Sequence, residues 1–326
     1  METIFLPYKE TLRKIRHVVM DMDGTIYHGK NLFPTTIPFL DRLRSLGIGY
    51  TFLTNNSSRS TDVYLQHLLD FGISVPREAM LTSTGNTVDY LKRNLPDAKR
   101  IFMLGTDSFR AEMQSLGFTD VSMEEEPDAV VTAFDSALQY ERLCKAAWWI
   151  KQDKPWIATH CDLECPTELP TTLVDCGSIT ACLSAVSGRQ PIVLGKPNAA
   201  MMETILCAHD LRPEEVIMCG DRAYTDIQLA VNSGTFSAMI APEIPAKPPV
   251  PCATWIIPHL EVLGEALSES RLLTRVMAQV YGSLLNTPHP RRAEIPGCGN
   301  GFWRPGNPRP QPAGTRHPGP VHQKNR

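Results

Sequence analysis

Two aspartates one residue apart, Asp21 and Asp23 in the run DMDGT, directly follow the short apolar segment His17–Met20. Paired carboxylates serve where one group attacks or binds a cation while the other moves a proton. An i, i+2 spacing off a strand end turns both toward one site, and Gly24-Thr25 lets the chain leave sharply. Three further features share that logic. Thr54 closes the apolar run Ile48–Leu53 and is succeeded by Asn55, Asn56 and Ser57; a hydroxyl with successive backbone amides there suits a phosphoryl group. Lys196 stands in LGKPN, just past the apolar Ile192–Leu194, and Asp221 and Asp226 lie in GDRAYTD after Val216–Cys219. Four acids and one lysine sum to -3, and a divalent cation brings them to -1. Protonating one carboxylate then lets a phosphate dianion approach. A few hard oxygen ligands suit Mg²⁺, which keeps several waters and takes substrate oxygen.

These residues need a scaffold that gathers strand ends, and the apolar pattern supplies one. Helical spacing over Ile37–Leu46, stopped by Gly47, and over Thr61–Phe71 alternates with the strands just named. Such alternation predicts a Rossmann-like α/β core, a parallel sheet covered on both faces, with ligands at the carboxyl ends of its strands. The middle of the chain repeats the alternation: strands at Ile101–Leu104, Ala129–Thr132 and Trp156–Thr159, helices at Ser108–Leu116 and Tyr140–Lys151. From Ile192 the first pattern resumes, with helices at Ala199–His209 and Thr225–Asn232. The expected organisation is a core over 1–82, an inserted α/β domain over 83–190, and a second core part over 191–286. That second part ends in a packed helix striped by Leu272, Leu273, Val276, Val280 and Leu284.

Residues 287–326 differ in kind: nine prolines, six glycines, and Lys+Arg exceeding Asp+Glu by seven to one. Such a segment buries too little apolar surface to offset its ordering entropy, so a disordered tail is expected. A basic nucleic-acid-binding arm is the functional alternative for it. The whole chain, at -3 over 326 residues, has no global basic field for nucleic acid. No apolar run approaches a membrane span, and the start METIFLPYKETLRKI lacks a signal-peptide core. Nine scattered cysteines without a CxxC pair read as reduced thiols of a cytoplasmic protein. His160, Cys161 and Cys165 form one ligand cluster where zinc normally needs two, so they are expected to be structural.

DMDGT, FLTNNSS, LGKPN and GDRAYTD, in this order, resemble the four motifs of the haloacid dehalogenase (HAD) superfamily. The insertion between the second and third motifs resembles the C2-capped subfamily that includes NagD-type and 4-nitrophenylphosphatase-like enzymes. PTE, LVDCGSI and SGR ahead of Lys196 resemble that subfamily's cap exit. The resemblance implies a HAD fold and a phosphatase that forms an aspartyl-phosphate on Asp21, with Asp23 as the proton donor and acceptor. It further implies that Thr54, the amides of Asn55 and Asn56, and Lys196 hold the phosphate. Mg²⁺ would be held by Asp21, the Asp23 backbone carbonyl and Asp221, and by Asp226 directly or through a water. Asp23 separates this pattern from the family's dehalogenases, which lack the second acid. Too few residues separate Asp23 from Thr54 for the other cap type, which the mutases resemble.

His160 and Asp162 lie where relatives commonly carry Asn-Pro-Asp and are candidate specificity residues. Trp148 and Trp149 are expected to pack in the cap or form a contact through which caps pair into a homodimer. The expected substrate is a small soluble monoester of sugar phosphate, nucleotide or phosphoglycolate type. A non-catalytic phosphometabolite sensor on the same fold is the alternative, although a sensor has no need of Asp23.

Overall fold

The computed structural model describes residues 8–166, 170–243 and 250–285. Helix α1 (Lys9–Lys14) leads into β1 (His17–Asp21), all five of whose residues are buried. A small antiparallel ribbon, β2 (Tyr27–His28) with β3 (Asn31–Leu32), carries the chain to α2 (Thr36–Ser45) and β4 (Gly49–Thr54). Helix α3 (Thr61–Asp70) opens at Ser60, whose hydroxyl caps the Val63 amide, and buries Tyr64 and Leu68 one turn apart. Strand β5 (Met80–Thr82) and α4 (Ser83–Asn94), capped by Thr82, end this part.

The insertion then supplies β6 (Arg100–Leu104), α5 (Asp107–Ser115), β7 (Thr119–Asp120), β8 (Ala129–Thr132), α6 (Tyr140–Lys151) and β9 (Trp156–Ala158). The hairpin β10 (Glu164–Pro166) and β11 (Thr172–Val174), α7 (Cys176–Ser187) and β12 (Ile192–Val193) follow. The chain closes through α8 (Ala200–Ala208), β13 (Val216–Gly220), α9 (Gln228–Ser233), β14 (Phe236–Ile240), β15 (Trp255–Ile257) and α10 (Leu260–Leu285).

Two sheets result. The core sheet has the order β15-β14-β13-β1-β4-β5, parallel throughout, with β1 at its centre between β4 and β13. Alternation splits its residues between two faces. Val18, Met20 and Phe52 join one apolar cluster with α2 and the start of α10, while Val19, Leu53 and Met218 join another under α8. The second sheet, β12-β9-β8-β6-β7, is also parallel and divides likewise, Ile101 and Met103 to one side, Phe102 and Leu104 to the other. Purely parallel sheets covered on both faces are what continuous apolar strands require.

Three expectations are corrected. Ile192–Leu194 was assigned to the core sheet, but β12 pairs with β9 and is an edge of the inserted sheet. An apolar run does not state which sheet it joins; the partner opposite Ile192 is Ile157. The helix expected at Thr225–Asn232 is a π-helical turn over Ala223–Ile227 followed by α9: the Ile227 amide reaches back five residues to the Arg222 carbonyl at 3.3 Å, and the Asp226 carboxylate accepts the Arg222 amide. Leu272 is 59% exposed rather than packed. The side chains of Leu273, Val276, Val280 and Leu284, and the tail 287–326, lie outside the described residues. Trp149 packs against the cap's apolar cluster, whereas Trp148 is half exposed. Among the described residues no helix is long and apolar enough to cross a membrane.

Candidate active site

The carboxyl ends of β1, β4 and β13 converge, and the residues singled out from the sequence converge with them. Asp21 ends β1 and is 9% exposed. The Lys196 ammonium, itself buried, donates to the Asp21 carboxylate and to Asp226 Oδ1, the latter at 2.7 Å. Asp226 is fully buried, and its second oxygen accepts the Arg222 amide at 3.1 Å. Asp221 lies beside them, with one buried oxygen, Oδ1, that has no hydrogen-bond partner.

Two glycines make this crowding possible. A Cβ on Gly24, whose φ is +85°, would stand 2.4 Å from Asp221 Oδ2, and one on Gly220 would stand 2.3 Å from Asp226.

Burial pushes the Asp21 carboxyl up to about 8; Lys196 pulls it down, while Asp226 and Asp221 add to the rise. Burial and then Asp226 raise Asp221 to about 6. Burial alone would favour a neutral Lys196, yet Asp21 and Asp226 outweigh it, and its pKa is raised. The acids therefore resist joint ionisation and the lysine stays charged. Ligand oxygens of Asp21, Asp221 and Asp226 lie within 4.8 Å of one another. Crowded oxygen donors, excess negative charge and the orphaned Asp221 oxygen fit a hard divalent cation. Both Asp226 oxygens already have protein partners, so Asp21 and Asp221 are the better placed carboxylates. The Asp23 side chain stands outside this trio: it is 58% exposed, with Oδ1 3.5 Å from His28 Nδ1. It nevertheless lines the same small pocket as Asp21, Thr54, Asn55, Asn56 and Lys196.

Thr54 Oγ accepts the Asn56 amide at 3.2 Å. The Asn55 side chain turns away from phosphate duty. Its Oδ1 accepts the Lys196 amide at 2.7 Å, and its Nδ2 donates to the Lys196 carbonyl at 3.0 Å and to Asp162 Oδ2 at 3.2 Å. It thus clamps the peptide that presents the lysine. Next to it, Ser57 Oγ accepts the Phe134 amide at 3.0 Å and lies 3.2 Å from both Thr159 Oγ1 and His160 Nε2. The loop after β4 is bolted to the inserted domain on both sides of the site.

Of the two specificity candidates, Asp162 lines the pocket and His160 does not. His160 is fully buried behind it, Nδ1 3.5 Å from Asp162 Oδ2 and Nε2 3.6 Å from Asp175 Oδ1. Its two nitrogens face different acids, and ligand atoms of His160, Asp162 and Asp175 lie within 4.8 Å of one another. Cys161 donates to the Lys196 carbonyl at 3.4 Å. Burial would raise the Asp162 carboxyl, but His160, Lys196 and Arg222 hold it below its ordinary range.

Glu164, Asp175 and Arg222 also line the pocket and went unnoticed in the sequence. Asp175, within LVDCGSI, also caps α7, accepting the Cys176 amide at 2.6 Å. Arg222 sits between the two aspartates of GDRAYTD, a signal that was available.

A family model described as haloacid dehalogenase-like hydrolase matches residues 18–119, and a second, HAD-hydrolase-like model matches 193–249. The chain is 28% identical over 232 residues to 5'-nucleotidase YutF of Bacillus subtilis, covering 70% of this chain and 88% of that one. Its fold is similar to that of 4-nitrophenylphosphatase from Thermotoga maritima, with a TM-score of 0.73 and 33% identity over 79% of this chain and 99% of the other. Glycerol phosphate phosphatase from Mycobacterium tuberculosis, solved in complex with calcium, gives a TM-score of 0.69 and 30% identity over 78% of this chain and 76% of that one.

Proposed function

We propose, for a chain that belongs to the haloacid dehalogenase-like hydrolases of the NagD and 4-nitrophenylphosphatase type and is a phosphoric monoester hydrolase, a two-step reaction through an aspartyl-phosphate. The Asp21 carboxylate attacks phosphorus, and the ester P–O bond breaks with its electron pair leaving on the alcohol oxygen. Asp23, exposed and able to swing, gives that oxygen a proton, then takes one from a water. The water oxygen attacks phosphorus and expels the Asp21 carboxylate, so alcohol and inorganic phosphate are the products. Thr54 Oγ and the amides of Asn55 and Asn56 hold phosphoryl oxygens. Lys196 offsets charge on Asp21 and on the phosphate throughout. Asp226 keeps that ammonium in place, and Arg222 adds a second positive charge at the pocket wall.

Divalent metal use belongs with this fold and donor set, and the finer assignment proposed is Mg²⁺. It would be held by the carboxylates of Asp21 and Asp221 and the Asp23 backbone carbonyl, with Asp226 acting through a water. The ion supplies charge neutralisation and alignment, since phosphoryl transfer rests on positioning and electrostatics. In the cap, Asp162 contacts the leaving group, and His160 positions Asp162 and Asp175.

The observation that carries this reading is the single buried ammonium shared by Asp21 and Asp226 beside the unpartnered Asp221 oxygen. The test is phosphate release from 4-nitrophenyl phosphate with Mg²⁺, with EDTA, and from Asp21→Asn. Metal-dependent release lost by at least about a thousandfold in the variant supports it. Near-normal turnover in Asp21→Asn refutes the covalent route, and silence of folded wild-type protein revives a sensor.

A further inference from the structure

Where the inserted domain meets the loop after β4, three titratable side chains pack together with more donor atoms than the protein uses. His160 and Asp175 are buried, and Asp162 is 6% exposed. One ligand atom from each lies within 4.8 Å of the other two. Two of their atoms are orphaned: His160 Nδ1 and Asp162 Oδ1 are sealed from solvent without a hydrogen-bond partner. Nδ1 faces Asp162 Oδ2 across 3.5 Å, longer than an N–H···O hydrogen bond. Around a tetrahedral ion with bonds of about 2.0–2.2 Å, neighbouring ligands stand about 3.4 Å apart. The imidazole and the carboxylate are therefore already spaced as two ligands of one ion.

The surrounding contacts hold these side chains in place. Ser57 Oγ lies 3.2 Å from His160 Nε2, an acceptor for a proton on that nitrogen, and a ligating imidazole commonly has such a partner on its other side. Asn55 Nδ2 donates to Asp162 Oδ2 at 3.2 Å, and the Cys176 amide donates to Asp175 Oδ1 at 2.6 Å. Two carboxylates and a neutral imidazole sum to -2, which one divalent cation cancels. Two neighbouring thiols are directed elsewhere, Cys161 to the Lys196 carbonyl and Cys176 to the Thr132 carbonyl at 3.3 Å. The donor set is thus one imidazole with two acids.

The nitrogen donor separates this cluster from the catalytic one. Asp21, Asp221 and Asp226 offer oxygen alone, which suits a hard ion, whereas imidazole with carboxylate suits a first-row transition ion. Asp162 and Asp175 also line the pocket, which gives an ion its way in and a water for its fourth position.

We propose that His160, Asp162 and Asp175 bind a second metal ion, Zn²⁺ by its donor set, which ties the loop after β9 to the start of α7 and fixes the acid that faces the pocket. This site does not depend on the phosphatase reading.

The experiment strips the full chain with a chelator, supplies Mg²⁺ in excess for the oxygen site, and titrates with Co²⁺, a spectroscopic stand-in for Zn²⁺. A tetrahedral Co²⁺ absorption is expected that saturates at one ion per chain, carries no sulfur-to-cobalt band and is displaced by Zn²⁺. Affinity should fall by at least about tenfold in His160→Asn and in Asp175→Asn, and stay unchanged in Asp21→Asn. Zn²⁺ should also raise the urea midpoint of the wild type above its value in Mg²⁺ alone and leave that of both variants unmoved. The two variants remove ligands from different segments, and the wild-type spectrum decides the donor set without either. The inference is overturned by the absence of a tetrahedral band, by a sulfur-to-cobalt band, by unchanged affinity in His160→Asn, or by affinity lost in Asp21→Asn. Each of those results leaves the phosphatase reading standing, which phosphate release from 4-nitrophenyl phosphate judges separately.

Discussion

His17 opens the central strand and makes the whole core sheet acid-sensitive. Its ring is 3% exposed, lies 2.9 Å through Nε2 from Thr51 Oγ1, and packs so closely over Gly49 that a Cβ there would come within 2.6 Å of Nδ1. Burial, and then the charge of His209 with its ring centroid 4.5 Å away, lower the His17 pKa from 6.5 to about 3. An unfolded chain binds the proton that the folded one refuses. Stability contributed by neutral His17 is therefore complete above pH 6.5, and is lost as pH falls from there toward 3. Each pH unit well inside that window costs about 1.4 kcal/mol, so going from pH 7.5 to 5.0 costs about 2 kcal/mol through this residue. Urea unfolding of wild type and His17→Gln at both pH values isolates it. The loss on acidification should be about 2 kcal/mol smaller in the variant, because groups common to both proteins cancel. An equal loss in the two proteins, or a His17 resonance titrating above pH 5 by NMR, refutes the reasoning.

Two further perturbations test the site's construction. Gly24→Ala places a methyl group against Asp221 Oδ2 on a backbone of positive φ. The half-saturating Mg²⁺ concentration for phosphate release should rise on the order of 10- to 100-fold, and a metal titration of activity reads it. Asn55→Ala leaves the Lys196 peptide and Asp162 without their buried partner. A destabilisation of about 1–3 kcal/mol is expected in chemical denaturation, with slower turnover as the lysine loses its register.

The sequence carried the strand ends better than it carried the sheets. β8 and α6 fall on the expected Ala129–Thr132 and Tyr140–Lys151, and β1 and β4 within a residue of expectation, because their apolar periods are strong and their ends marked. β5 and β15 went unread because each is only three residues long, and β5 runs straight into a helix with no turn residue between; β14, as long as β1, went unread too. Sheet membership was invisible at Ile192, since pairing is decided by Ile157 thirty-five positions earlier. Within the site, Asp21, Lys196 and Asp226 were legible because each follows an apolar run, although the Lys196 run belongs to the other sheet. The cap's wall was not, because Glu164 and Asp175 lie on either side of a hairpin and meet only when β10 pairs with β11. Nor does any local pattern distinguish Asp162, which faces the pocket, from His160, which is sealed behind it.

The order of synthesis meets this topology at an awkward point. β1 has one neighbour, β4, soon after it emerges, but its other neighbour, β13, begins at Val216. At about 5–20 residues per second, the ribosome takes about 10–40 s to travel from His17 to Val216. The inserted sheet, Arg100 to Val193, is completed inside that interval. At the end of that interval the nascent chain carries a finished cap sheet and half a core, with the unpaired edge of its fully buried central strand open to other chains. A polypeptide cut short between Val193 and Val216 is held in that half-built state, able to close its cap sheet but not the one that bears the nucleophile.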